Sequence, residues 1–210
     1  PARATGRRIL LVDKPDATQS YFWIGNLGIA RGDSDRVALD IANTAYGGRY
    51  TSILNTALRI QGGLTYSARW SMPRYSHAGT AAISSYTKTT TTEKAVDLAL
   101  RTLSNVRRDG LDSLSLDAAK TYIQGQFPTR LETGDQIAAA LADLAFYGMK
   151  RDELEGYAAR VAGGRLEEVM RAIRRVYPPG EDLVFVFVGN AVKIRPIVGK
   201  YGRLTEVKIT

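Results

Sequence analysis

The chain has 210 residues, 44% of them hydrophobic and 24% charged, which is ordinary for a globular domain and excludes a disordered chain. It contains no cysteine, which rules out disulfides and Cys-based metal sites and suits an oxidising, extracytoplasmic compartment. Its net charge of +8 sits mostly at the ends, +3 within residues 1–10 and +4 within residues 191–210, and without a basic stripe interleaved with aromatics no nucleic-acid partner is expected.

Pro1 to Arg8 carries Arg3, Arg7 and Arg8 with no apolar segment behind it, so it does not read as a secretory signal. No apolar run approaches the roughly 20 residues that span a bilayer, and membrane insertion is not expected. Residues 1–7 read as a linker or tail and residues 8–210 as a single domain.

Arg8–Asp13 is apolar and bounded by Lys14-Pro15-Asp16, which predicts a strand ending in a turn. Thr18–Ala30, rich in β-branched and aromatic residues, predicts a long second strand in which Gly25 and Gly28 mark bulges or bends. Asp33-Ser34-Asp35 offers caps for a helix with Val37, Ile41 and Ala45 at helical spacing, closed by Gly47-Gly48 as a left-handed cap. A short helix with Ile53, Leu54, Ala57 and Leu58 follows and is broken at Gly62-Gly63.

Leu64, Tyr66, Ala68 and Trp70 alternate with polar residues, the period of a half-buried strand, and Ala78–Lys88 is its antiparallel partner. From Thr89 to about Tyr177 the pattern is helical. Successive helices are marked by Val96–Val106, by Leu116–Phe127 before Pro128, by Ile137–Ala145 before Gly148, by Asp152–Val161 and by Leu166–Val176. Asp182–Gly189 is continuously apolar, which predicts a strand covered on both faces. A weak helix and a last strand near Leu204–Ile209 end the chain. Strands at both ends around a block of helices predict an α+β domain, an antiparallel-rich mixed sheet backed by a layer of helices.

The residues support little catalysis on their own. A zinc hydrolase needs three protein ligands and an open position, and this chain has one histidine, His77, in a turn-like stretch. No H-x-x-E-H, its inversion or G-x-S-x-G can be written from it. Arg59, at a helix end, and Tyr66, seven residues on in a strand, stand on either side of a glycine turn. That spacing can bring a forked guanidinium donor and a phenol toward one rim. Tyr66 shares the parity of Leu64, Ala68 and Trp70, so a core aromatic is the alternative reading, with Arg59 a surface charge.

The run Gly47-Gly48, Ser52, Leu54, Arg59 and Gly63-Leu64-Thr65-Tyr66-Ser67 resembles the insulinase (pitrilysin) family of zinc metallopeptidases, in the second, non-zinc-binding of its paired halves. Val12-Asp13-Lys14-Pro15 with Thr18-Gln19-Ser20 is similar to that half's opening. Asp117–Lys120, Glu132-Thr133 and Ile137-Ala138 with Leu141-Ala142 are similar to its central helices, and Phe185–Asn190 to its late strand. The resemblance covers about residues 8–190.

The resemblance implies a metal-free half that closes over an extended peptide while a partner half or subunit bearing H-x-x-E-H holds the zinc. It implies that Tyr66 assists catalysis at the scissile carbonyl and that Arg59 binds a nearby substrate carbonyl. This chain by itself is then expected to be inactive. The alternative is a non-catalytic scaffold or partner subunit of the same fold.

Overall fold

The computed structural model describes residues 1–208, so Ile209 of the expected last strand lies outside the described residues. Strands β1 (Arg8–Asp13), β2 (Gln19–Leu27), β3 (Ala68–Ser71), β4 (Thr80–Lys88), β5 (Val184–Gly189) and β6 (Arg203–Lys208) form one sheet in the order β3-β4-β2-β5-β1-β6. Pairing is antiparallel from β3 through β4 and β2 to β5, and parallel between β5, β1 and β6. The expected antiparallel-rich mixed sheet backed by helices is what the chain forms.

Period-two alternation decides which side of the sheet is covered. Ile9, Leu11, Phe22, Ile24, Ile83, Phe185 and Phe187 point into the core. There they meet α1 (Arg36–Asn43), α3 (Thr92–Asp109), α8 (Leu166–Val176) and α9 (Ala191–Val198) through Leu39, Ile41, Val96, Leu103, Val169, Ile173, Ile194 and Val198. Tyr21 and Trp23 stand half-exposed on the opposite face, while Val184, Val186 and Val188 are only partly buried. The expectation that β5 is covered on both faces is therefore corrected. All described helices that join the core pack on one side, and β5 reads as continuously apolar because it occupies the middle of a sheet whose other face is also apolar.

Between β4 and β5 the helices α4 (Ser113–Gln126), α5 (Gly134–Phe146), α6 (Asp152–Glu155), α7 (Tyr157–Gly163) and α8 follow the order read from the sequence, except that the one helix expected over Asp152–Val161 is two, parted at Gly156. The expected bulge at Gly25 is absent, since β2 and β4 pair without interruption from Gln19↔Lys88 to Leu27↔Thr80. Gly25 instead permits close strand approach: a Cβ there would lie 2.2 Å from the Ala81 carbonyl oxygen. Asp35 does not cap α1 with its side chain. Its carboxylate accepts from Arg175 Nε at 2.7 Å, which ties α1 to α8.

Candidate functional site

α1 does not end in a left-handed glycine. It widens into a π turn, Thr44–Gly48, and neither Gly47 nor Gly48 has a positive φ. Gly47 is required for another reason: a Cβ on it would lie 2.4 Å from the Trp70 amide nitrogen, so only hydrogen lets this turn rest on β3. The buried Trp70 ring packs against Tyr46 and Tyr177 at 5.4 and 4.5 Å, and those two rings also meet, at 5.7 Å. Trp70 Nε1 and Tyr177 Oη both donate to Asn43 Oδ1, at 2.8 and 3.0 Å. Burial pushes the Tyr46 and Tyr177 phenols far above their ordinary pKa, so both stay neutral and serve this platform.

On it sits a second widened segment. α2 (Ile53–Asn55) runs into a π turn over Thr56–Gln61 that carries Arg59, and such wide turns recur at functional positions. Asn55 fastens it, donating through Nδ2 to the Tyr50 carbonyl at 2.7 Å and accepting from the Ala68 amide at 3.1 Å. Gly63, at φ +60°, reverses the chain, and its amide bonds to the Arg59 carbonyl at 3.1 Å. The Arg59 guanidinium lies over the Tyr50 ring at 4.6 Å, a cation–π contact. It makes no ion pair among the described residues, which leaves its donors open.

Tyr66 is not a core aromatic. It is 74% exposed, although Leu64, Ala68 and Trp70 are buried as the alternation requires. The strand begins only at Ala68, and residues 64–67 follow a local polar geometry instead. Thr65 Oγ1 donates to the Ser67 carbonyl at 3.0 Å and accepts from the Ser67 amide at 3.1 Å. Thr87 Oγ1 donates to the Leu64 carbonyl at 2.7 Å, and Ser85 Oγ to the Ser67 carbonyl at 2.9 Å. These bonds hold the segment against β4 and turn the Tyr66 ring outward, with no hydrogen-bond partner of its own within the described chain.

Arg59 and Tyr66 thus share one short loop system at the end of α2, joined by no bond to each other. Tyr50, Asn55, Ser85 and Thr87 were missed from the sequence. The signal for the last two was present: both occupy core-facing positions in β4, where an apolar side chain is the default and a hydroxyl needs a partner.

The zinc of the resembled family finds no ligand set here. His77 is exposed in the loop after β3, and no group of three or more His, Asp or Glu among the described residues is arranged to hold a metal ion.

The chain is thus a six-stranded mixed sheet backed by helices, with Arg59 and Tyr66 on one loop system beside β3. Residues 1–123 match the family described as the peptidase M16 inactive domain, and the chain belongs to that family. Among solved structures it is similar to a peptidase M16 inactive domain from Pseudomonas fluorescens (TM-score 0.83, 23% identity, covering 90% of this chain and 44% of that one). It is also similar to a protease from Helicobacter pylori (0.75, 18%, 88% and 45%) and to the periplasmic protease PqqL from Escherichia coli (0.72, 14%, 88% and 21%). The chain spans less than half the length of each of these three. No curated protein matches it.

Proposed function

We propose that this chain is the substrate-binding, metal-free half of a zinc-dependent peptidase, acting on extended peptides with a partner half or subunit that bears the zinc. In this reading residues 8–210 are the domain and residues 1–7 a tail, one that is fastened to the domain through Arg3, Ala4 and Gly6.

The observation that carries the reading is the outward turn of Tyr66 against the burial of its alternation partners. Hydrogen bonds through the side chains of Thr65, Ser85 and Thr87 hold the backbone on either side of Tyr66, so its phenol, itself unbonded, projects from a fixed segment. In the assembled enzyme Tyr66 Oη donates a hydrogen bond to the scissile carbonyl oxygen as negative charge develops on it. Arg59, kept extended by the Tyr50 ring, donates to a neighbouring substrate carbonyl.

β3 follows Tyr66 directly, and its outer edge is already filled, the Ala68 amide donating to Asn55 Oδ1 and the Trp70 amide lying under Gly47, so the peptide backbone is met by Arg59 and Tyr66 and not by this strand. The uncovered apolar face around Tyr21 and Trp23 supports a missing partner, since such patches mark interaction surfaces.

The test is a peptidase assay on unstructured peptides. The chain alone is expected to be inactive, and activity is expected when it is combined with its zinc-bearing counterpart and to vanish on chelation. If the counterpart alone cuts as fast as the mixture, the chain is a scaffold and the reading fails.

A further inference from the structure

A second feature lies at the other end of the sheet. Tyr66 is tied to β4 near Thr87, at the end of β5 marked by Val188. A cavity of about 610 Å³ opens instead beside Leu183, just before β5 begins. Five arginines line it, Arg7, Arg101, Arg107, Arg108 and Arg174, against one acidic residue, Glu181. That volume falls within the range of small-molecule sites.

The guanidinium groups are not matched by internal anions. Only Arg108 has a carboxylate partner, Asp109, at 2.7 Å. Arg7 Nε donates to the Gly180 carbonyl at 2.6 Å and Arg107 Nε to the Tyr177 carbonyl at 3.1 Å, neutral acceptors that fix the side chains and leave their charge standing. Arg101 and Arg174 are exposed and have no ion pair among the described residues. The field extends beyond the cavity: burial, and then the charges of Arg175 and Arg107, lower the pKa of the neighbouring Arg3. Leu103 and Leu183 wall one side, and an apolar wall strengthens the charge interactions beside it.

We propose that this cavity binds a small, diffusible, multivalent oxyanion of the polyphosphate type. The chemistry selects that class on two counts. Guanidinium forks match phosphate oxygens two at a time, and several uncompensated positive charges within one cavity are neutralised together only by a ligand carrying several negative ones. A monocarboxylate leaves most of the repulsion in place. The site is independent of the proposed peptide-binding rim and shares no residue with it.

The test is isothermal titration of the chain with inorganic triphosphate at fixed ionic strength, beside sulfate. A saturable isotherm is expected for triphosphate, tighter than for sulfate and weakening as salt is added. Arg101→Gln with Arg174→Gln is expected to weaken it about tenfold or more, the loss of charge-assisted bonds. The melting temperature without ligand should be unchanged, because both side chains are exposed and unpaired. Lys94→Gln with Lys193→Gln removes the same charge from exposed positions elsewhere and is expected to leave binding intact. Non-saturating heats, equal weakening by both double variants, or binding only to phosphatidic-acid vesicles would each overturn the proposal.

Discussion

Gly47→Ala isolates the contact on which the Arg59–Tyr66 loops rest. The added methyl would sit 2.4 Å from the Trp70 amide nitrogen and 2.5 Å from Trp70 Cβ, about an ångström inside ordinary contact. Neither atom can swing away, because one is backbone and the other is fixed to it. Overpacking of this kind costs about 1–3 kcal/mol, from which the gain of replacing glycine in a helical segment, up to about 1 kcal/mol, must be subtracted. A net loss of about 1–2 kcal/mol corresponds to a fall in melting temperature of about 2–8 °C for a chain of this size. Thermal unfolding followed by circular dichroism measures it. Gly163→Ala is the internal control: it lies in α7, has open space around it and no positive φ, and is expected to gain about 0.4–1 kcal/mol. If Gly47→Ala were as stable as the parent, the glycine pair would not be the seat of this packing and the account of the platform would be wrong.

Asn43→Ala deprives Trp70 Nε1 and Tyr177 Oη of their shared acceptor, and about 2–4 kcal/mol of stability should be lost in urea unfolding, the cost of stranding two buried donors. Tyr50→Ala removes the ring beneath Arg59; the melting temperature should hold, while KM for peptide in the assembled enzyme rises severalfold. The acid limb of stability should carry the Asp33–Arg175 contact. Burial alone would raise the Asp33 pKa, but the Arg175 side chain and the Asp35 amide outweigh it and hold it below the usual carboxylate range. A lowered folded-state pKa contributes stability that is present above the unfolded value of about 3.9 and is lost as pH falls through the folded one. Arg175→Met should therefore lower stability at neutral pH and flatten the decline below about pH 4 in pH-dependent unfolding.

The element order was legible because periodicity and punctuation agree along the chain: Pro128 closes α4, and Asp182–Gly189 could be little but a central strand. Three features were not. Positive φ and close approach leave the same mark in a sequence, so Gly47-Gly48 read as a cap when Gly47 serves contact with Trp70. Alternation left a core position open to Tyr66 because period-two reasoning assumes a strand, and the Thr65–Ser67 turn that breaks it depends on β4 hydroxyls some twenty residues away. Charge counted along the chain placed little net charge between residues 11 and 190, whereas folding brings Arg101, Arg107, Arg108 and Arg174 beside Arg7. A balanced total conceals that spatial segregation.

The role given to Tyr66 turns on a single hydroxyl, and Tyr66→Phe removes it while leaving the ring. Because the side chain is exposed and unbonded, the variant should unfold at the parent's temperature. Assayed with the zinc-bearing half, its kcat/KM on an unstructured peptide should fall by about 10²–10³, the value of one oxyanion donor. A variant that cuts peptide at the parent's rate would contradict the account.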